Sequence, residues 1–227
     1  LMQTETKTKL PTWHSQALRG VIAALRSDPR TGLSAASVAD RQAAYGKNVL
    51  PRGKTLSWWQ ILLRQFASPL VYILLIAAAL TWWIKEYADM TIILVVVGVN
   101  ALIGLFQEYR ANKIFEALRA VVRVQAVVIR DGKNHTVDSE ELVPGDVIIL
   151  RGGDKVPADG RLLSASNLTV NEAALTGESK PVKKLLGLAE EKALVGDRLN
   201  MVFMGTLVEQ GEARALVAAT AGRTEIG

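Results

Sequence analysis

Residues 66–84 read FASPLVYILLIAAALTWWI, a stretch of nineteen residues without a charged side chain. A helix of that length, rising about 1.5 Å per residue, reaches most of the way across a hydrocarbon core of about 30 Å. One tryptophan pair, at 58–59, precedes the stretch, and a second pair, at 82–83, lies at its end. One helix joining the two pairs would span about 36 Å, close to the separation of two membrane interfaces. The stretch therefore predicts a transmembrane helix.

A second uncharged stretch, MTIILVVVGVNALIGLFQ at residues 90–107, follows a short charged turn at 85–89. Together the two stretches predict a transmembrane hairpin. Two buried helices of a soluble protein are the alternative, but such helices are usually shorter and carry a polar stripe. We therefore expect an integral membrane protein that has the lipid bilayer as a partner.

The distribution of basic residues predicts the orientation of this hairpin. Basic residues precede the first stretch and follow the second, whereas only Lys85 lies between them. The flanking ones are Lys47, Arg52, Lys54, Arg64, Arg110, Lys113, Arg119 and Arg123. Because basic flanks stay on the cytoplasmic side, both ends of the hairpin are predicted to face the cytosol. The membrane is expected to be a plasma or inner membrane.

The part before the hairpin, residues 1–56, predicts a small cytosolic helical segment. Ser34 can cap a helix there, and Gly46 can end it. Residues 1–10 are polar and lack the apolar run of a signal peptide. The hairpin itself is assigned to residues 57–110.

The part after the hairpin, residues 111–227, is predicted to form a helical stalk followed by a mostly β domain. The stalk carries an apolar stripe of Ile114, Leu118 and Val122. Beyond it, short apolar runs are divided by turn signals such as Asp131-Gly132 and Pro144-Gly145. This spacing is typical of sandwiches and rolls, so the fold class is predicted to be α+β.

Composition and motif content exclude several kinds of site. The 27 lysines and arginines are scattered among 22 acidic residues, which argues against a nucleic-acid partner. The chain has no cysteine and two histidines, so neither a disulfide nor a zinc site is expected. Asp146, Asp154 and Asp159 lie in separate turns without calcium-loop spacing, and we assign them no metal. Because no glycine-rich phosphate loop occurs, no bound cofactor is expected in this segment.

The stretch NEAALTGESKPV at residues 171–182 resembles the signature loop of the actuator domain of P-type ATPases. Other segments of the chain resemble the same family and come in the same order. They are Gly32-Leu33-Ser34 with Arg41, Tyr45, Gly46 and Asn48, then NALIGLFQEYRANK at 100–113, VPGD at 143–146, GDKVPADG at 153–160, FMGT at 203–206 and TEIG at 224–227. The chain thus resembles the amino-terminal part of a type II cation-transporting P-type ATPase, closest to the calcium-pump branch.

The resemblance implies a fold and a set of catalytic residues. The fold would be a cytosolic actuator domain of the distorted jelly-roll or double-stranded β-helix type. The catalytic residues would be Thr176, Gly177, Glu178 and Ser179. In such pumps a carboxylate orients the water that hydrolyses an aspartyl phosphate and takes its proton, and by resemblance that carboxylate is Glu178. An ordinary polar turn is the alternative interpretation of these four residues.

The resemblance also implies partners that lie outside this chain. The full-length pump would use ATP and Mg²⁺, a phosphorylation domain and further transmembrane helices. This segment alone is then expected to be inactive. Calcium is the favoured cation, and sodium/potassium or protons stay open. A membrane-anchored β module that binds or regulates a partner without catalysis is the alternative function.

Two positions depart from the family pattern. Asn171 stands where an acidic residue is more usual. Ala221 stands where the segment after the last strand normally has glycine, and Gly222 follows one place later. Both departures put local turn geometry in question rather than the catalytic loop.

Overall fold

The computed structural model describes residues 12–50, 58–121 and 124–227. Predictions for Arg52, Lys54, Val122 and Arg123 lie outside these residues, and so do those for the side chains of residues 114–120. The chain divides into two compact units. We call residues 52–122 the helical unit and the rest of the chain the β unit.

The β unit begins with two short helices, α1 (Leu18–Ala24) and α2 (Ala35–Tyr45). The Ser34 hydroxyl accepts a hydrogen bond from the Ser37 amide at 3.3 Å. Gly46, with φ of 75°, ends the helix. The predicted cap and stop of α2 are therefore confirmed, because both signals act within one helical turn.

The helical unit starts with α3 (Trp58–Gln65) and α4 (Pro69–Trp83), which meet at a bend of 66°. The prediction of one straight helix joining the tryptophan pairs is therefore wrong. Ser68 has an extended backbone and Pro69 occupies the first turn of α4. Proline has no amide hydrogen and disfavours helical geometry in the residue before it, so the helix restarts at Pro69.

The long helix α5 (Tyr87–Val121) completes the helical unit and packs against both α3 and α4. Within the described residues, one helical stretch, Tyr87–Ala111, is long and apolar enough to cross a membrane. The bent pair of α3 and α4 provides a second one only if both helices are counted as one span.

Seven antiparallel strands form one sheet in the β unit, in the order β2-β1-β3-β7-β4-β5, with β6 also on β4. The strands are β1 (Gln125–Arg130), β2 (Lys133–Asp138), β3 (Val147–Arg151), β4 (Asp159–Asn171), β5 (Val182–Lys183), β6 (Met201–Val202) and β7 (Leu207–Ala219). Helices combined with an antiparallel sheet confirm the α+β class. Asp131 and Gly132, with φ of 49° and 72°, form the predicted hairpin turn between β1 and β2.

Both faces of this sheet are covered. Successive side chains along a strand point to opposite faces, so each strand contributes to both. One face buries Val128 and Ile148 in a cluster made of sheet and loop residues. The opposite face buries Ile129 and Val147 against Val21 of α1. The short amino-terminal helix therefore closes one of the two cores of the β unit.

Candidate functional site

The stretch that resembles the actuator signature forms a loop that leaves the end of β4 and returns in β5, beside the same strand. That strand ends at Asn171, and a single helical turn, α6 (Ala173–Thr176), follows it. The chain then returns, and β5 pairs with β4 through Thr169–Lys183 and Val170–Val182. Residues 176–179, which run from the last residue of α6 toward β5, are all exposed to solvent. The predicted catalytic residues are thus together on one exposed loop.

Local hydrogen bonds fix the first half of this loop. The Thr176 hydroxyl donates to the Glu172 carbonyl at 3.1 Å and accepts from the Glu178 amide at 3.2 Å. The amides of Leu175 and Thr176 also donate to the Glu172 carbonyl, at 2.9 and 3.0 Å. The backbone of Glu178 is therefore held through the threonine hydroxyl. Its carboxylate has no hydrogen bond or ion pair among the residues described.

Gly177 turns the chain between Thr176 and Glu178. Its φ of 77° and ψ of −5° lie in the left-handed region, which residues with a Cβ atom rarely adopt. A Cβ atom built on Gly177 would meet no atom within 4 Å. Glycine is therefore required here by its backbone geometry rather than by crowding, and the space beside its Cα is open.

A buried ion pair lies at the base of the loop. The Lys184 Nζ is 2.5 Å from the Glu172 Oε1, and neither side chain is exposed to solvent. Burial raises the pKa of the Glu172 carboxyl and lowers the pKa of the Lys184 ammonium, while the charge of each partner opposes these shifts. Sequence reasoning missed this pair. The sequence held a signal, because Glu172 follows Leu168 and Val170 at the two-residue spacing of one strand face, and all three are buried in the structure.

A second buried carboxylate, that of Asp159, joins three of the family-like segments. It accepts hydrogen bonds from the amides of Met204 and Glu225, both at 2.7 Å. Burial raises the pKa of Asp159 to about 6, although both amide hydrogen bonds oppose this shift. The segments at 153–160, 203–206 and 224–227 therefore meet at one side chain.

The other two turn aspartates also have structural partners. Asp146 binds the Arg130 guanidinium at 2.7 and 2.9 Å and accepts from the Val143 amide. Asp154 accepts from the Arg151 amide at 2.8 Å. The part of the chain that the structure describes contains no group of three or more histidine, aspartate or glutamate side chains that could hold a metal ion.

Two residues of the amino-terminal segment bind the sheet and its connections through polar contacts. The Arg41 guanidinium donates to the carbonyls of Pro144 and Leu25. The Asn48 amide nitrogen donates to the Ser139 and Pro157 carbonyls, both at 2.9 Å. Its amide oxygen accepts from the Ala221 amide at 2.8 Å. Arg41 and Asn48, two of the family-like residues, thus attach the amino-terminal segment to the sheet and the turns that connect its strands.

An antiparallel sheet with an exposed Thr-Gly-Glu-Ser loop defines the class of this module, an actuator-type domain. Comparison with known proteins agrees. Residues 120–227 match the family described as the P-type ATPase actuator domain, and residues 13–81 match the amino-terminal family of cation transporters and ATPases. The chain belongs to the P-type ATPase family.

Curated relatives cover most of the chain. The probable cation-transporting ATPase F of Mycobacterium tuberculosis is 44% identical over 94% of this chain and 24% of its own length. A cation-transporting ATPase of Synechocystis is 42% identical over 94% of this chain and 24% of its own length. A calcium-transporting ATPase of Listeria monocytogenes is 42% identical over 86% of this chain and 22% of its own length. The chain therefore spans about a quarter of the length of these relatives.

Proposed function

We propose that this chain is the amino-terminal part of an ATP-driven cation pump. In this proposal the loop of residues 176–179 promotes hydrolysis of an aspartyl-phosphate intermediate and couples it to ion transport. The observation that carries the proposal is the loop itself. A glycine turn and the Thr176 hydroxyl hold the backbone of Glu178, and its carboxylate is left exposed and unengaged among the described residues.

The proposed chemistry is general-base hydrolysis. Glu178 accepts a hydrogen bond from a water molecule and takes its proton as the water oxygen attacks the phosphorus atom. The bond from phosphorus to the aspartate oxygen then breaks, and the aspartate leaves as a carboxylate with inorganic phosphate as the other product. A positioned base of this kind contributes about 100- to 10,000-fold to the rate. The exposed tip allows the loop to approach a phosphoaspartate elsewhere in the pump.

ATP and Mg²⁺ would act in other parts of the full-length protein. Mg²⁺ prefers clustered carboxylate and phosphate oxygens, and Asp146, Asp154 and Asp159 are each engaged by backbone amides or an arginine. These residues do not fit a magnesium site. The segment alone is therefore proposed to be inactive and to depend on the phosphorylation domain and the remaining transmembrane helices.

The helical unit is proposed to be a membrane hairpin with both ends in the cytosol. Large apolar side chains cover the outside of α4 and α5, among them Ile76 at 61% exposed and Leu102 at 64% exposed. Such an apolar surface is stable when lipid surrounds it. The β domain is proposed to be the distorted jelly roll of the actuator, which its two covered sheet faces support.

The transported ion is proposed to be a cation, with calcium as the first candidate. Relatives named as calcium-transporting support calcium, while one relative from Saccharomyces cerevisiae is named as a sodium/potassium exporter at 37% identity.

The test of this function uses the full-length protein in inside-out vesicles. We expect ATP-dependent uptake of radioactive calcium, or of sodium or protons if one of these is the substrate, and no uptake with a non-hydrolysable ATP analogue. Absence of both ATPase activity and uptake of any of these ions would contradict the pump. Altered transport by another pump in the presence of this chain would instead support a regulatory module.

A further inference from the structure

The buried ion pair between Glu172 and Lys184 spans the base of the candidate loop. These two residues enclose residues 173–183, which include all four predicted catalytic positions. The 2.5 Å contact is fully buried, and the Lys184 ammonium also lies 5.3 Å from the centre of the Phe203 ring. The pair is therefore a fully buried polar contact at the base of a loop whose tip is exposed.

Stability alone does not account for a charged pair at this place. Removing two charges from water is costly, and apolar residues of similar volume often stabilise a protein equally well. The Phe203 ring near the Lys184 ammonium is apolar and almost completely buried. A pair of apolar residues would fit this environment. The charged pair instead holds one carboxylate and one ammonium at a short distance from each other, a pairing that apolar side chains do not specify.

Both partners connect directly to the backbone that carries the loop. The Glu172 carbonyl accepts hydrogen bonds from the Leu175 amide, the Thr176 amide and the Thr176 hydroxyl. The Lys184 amide donates to the Leu168 carbonyl at 2.9 Å, directly after β5. A shift of either ion would therefore move one end of the loop relative to the other. The Thr176 hydroxyl transmits such a shift to the Glu178 amide.

We propose that Glu172 and Lys184 are positioning residues, whose buried ion pair sets the loop geometry that brings Glu178 to the attacking water. This inference rests on the proposed role of Glu178 in hydrolysis. It predicts that breaking the pair impairs hydrolysis of the phosphoenzyme more than its formation, because formation does not require the loop.

The test uses the full-length pump and a double substitution, Glu172→Met with Lys184→Met, which removes both charges at similar side-chain size. The phosphoenzyme formed from radioactive ATP is chased with unlabelled ATP and its decay is followed. We expect near-normal formation and a decay that is about 10- to 100-fold slower, as small misplacements of catalytic groups produce. The charge-exchanged protein, Glu172→Lys with Lys184→Glu, is expected to recover part of the decay rate.

The matched control is the ion pair of Lys47 and Glu140, 3.9 Å apart with side chains 75% and 45% exposed, with both residues changed to Met. It should leave both rates unchanged. If the buried double variant decays like wild type, or if formation and decay fall together, the inference is wrong. Should that variant fail to fold, Glu172→Gln with Lys184→Gln provides the same comparison.

A Glu178→Gln protein serves as the reference in the same experiment. Slow decay in that protein together with normal decay in the buried double variant would overturn only the positioning role. Normal decay in the Glu178→Gln protein would overturn the proposed function itself. The two failures are therefore distinguishable.

Discussion

The helical unit and the β unit differ in the size of the apolar side chains that they bury. Where α4 and α5 pack, the buried residues are small and apolar, such as Val71, Ala78 and Ala101, while large apolar side chains lie outside. In the β unit the buried residues include large apolar ones such as Phe203, Leu162 and Leu216, and buried charges such as Asp146 and Asp159 are hydrogen-bonded. The difference supports the proposal that lipid surrounds the helical unit, whereas the β unit provides its own interior.

Among the effects on membrane insertion and stability, we expect the largest from placing a charge on the outer surface of the helical unit, with the same change in the β unit for comparison. Ile76 on α4 is 61% exposed and Leu194 in the β unit is 75% exposed. In the helical unit, Ile76→Lys should disfavour membrane insertion by about 3 kcal/mol if this surface contacts lipid. Leu194→Lys should change stability by less than about 0.5 kcal/mol, as surface substitutions usually do.

The measurement is the fraction of the 227-residue chain that resists alkaline extraction from membranes. Equal extraction of both variants and the wild type would show that the outer surface of α4 does not contact lipid. It would also remove the contrast between the two units.

An effect of similar size, which depends on pH, is expected from the buried carboxylate of Asp159. Its pKa is about 6 in the folded protein and 3.8 ordinarily, so between these pH values the folded state binds more protons than the unfolded state. The contribution of Asp159 to the free energy of unfolding therefore falls as pH rises from about 4 to 6. At about 1.4 kcal/mol per pKa unit, the total fall is about 3 kcal/mol.

Asp159→Asn removes this dependence because the amide does not titrate. The stability of the variant relative to wild type should rise by about 3 kcal/mol between pH 4 and pH 7. Pulse proteolysis in urea, with an intact β unit as the readout, measures it. A stability difference that stays constant with pH would mean that the burial of Asp159 does not affect its titration.

The smallest expected effect concerns Ala221, which has a φ of 52°. A residue with a Cβ atom in the left-handed region costs about 1 to 2 kcal/mol, and the larger freedom of glycine in the unfolded chain offsets part of this cost. Ala221→Gly should therefore raise the stability of the β unit by about 0.5 to 1 kcal/mol.

The control for Ala221 is Ala165→Gly in β4, where the pairing with β7 is regular at Ser164, Ala165 and Ser166. Glycine there should lower stability by about 0.5 to 1 kcal/mol. The same urea and proteolysis assay applies to both. Effects of the same sign would contradict the assignment of strain to Ala221.

Features that depend on near neighbours in the chain were predictable. Asp131 and Gly132 make a hairpin turn, and Ser34 caps α2, because each acts on a backbone group within three residues. Ala221 has a left-handed backbone, which favours glycine, and glycine is the residue that the family pattern normally has at this position. The bend before Pro69 was missed because the apolar composition of the stretch continues through it.

Features that depend on distant partners were not predictable from the residues alone. The Asp159 carboxylate binds amides 45 and 66 positions later, and Asn48 binds an amide 173 positions later. The pairing of Glu172 with Lys184 depends on β5 returning to β4. Residues 176–179 were found through resemblance, and their catalytic role stays a prediction.

The most direct test of the account is the decay of the phosphoenzyme in the full-length protein carrying Glu178→Gln. Glutamine keeps the size and hydrogen-bonding reach of the side chain but removes its basicity. Glu190→Gln is the matched control, because Glu190 is also an exposed glutamate of the β unit.

The account predicts that Glu178→Gln still takes phosphate from ATP and accumulates the phosphoenzyme. Its decay should be slower by about 100- to 10,000-fold, or about 3 to 5 kcal/mol of barrier, while Glu190→Gln decays like wild type. Decay of the Glu178→Gln phosphoenzyme at the wild-type rate would contradict the account and leave the Thr-Gly-Glu-Ser loop as an ordinary turn.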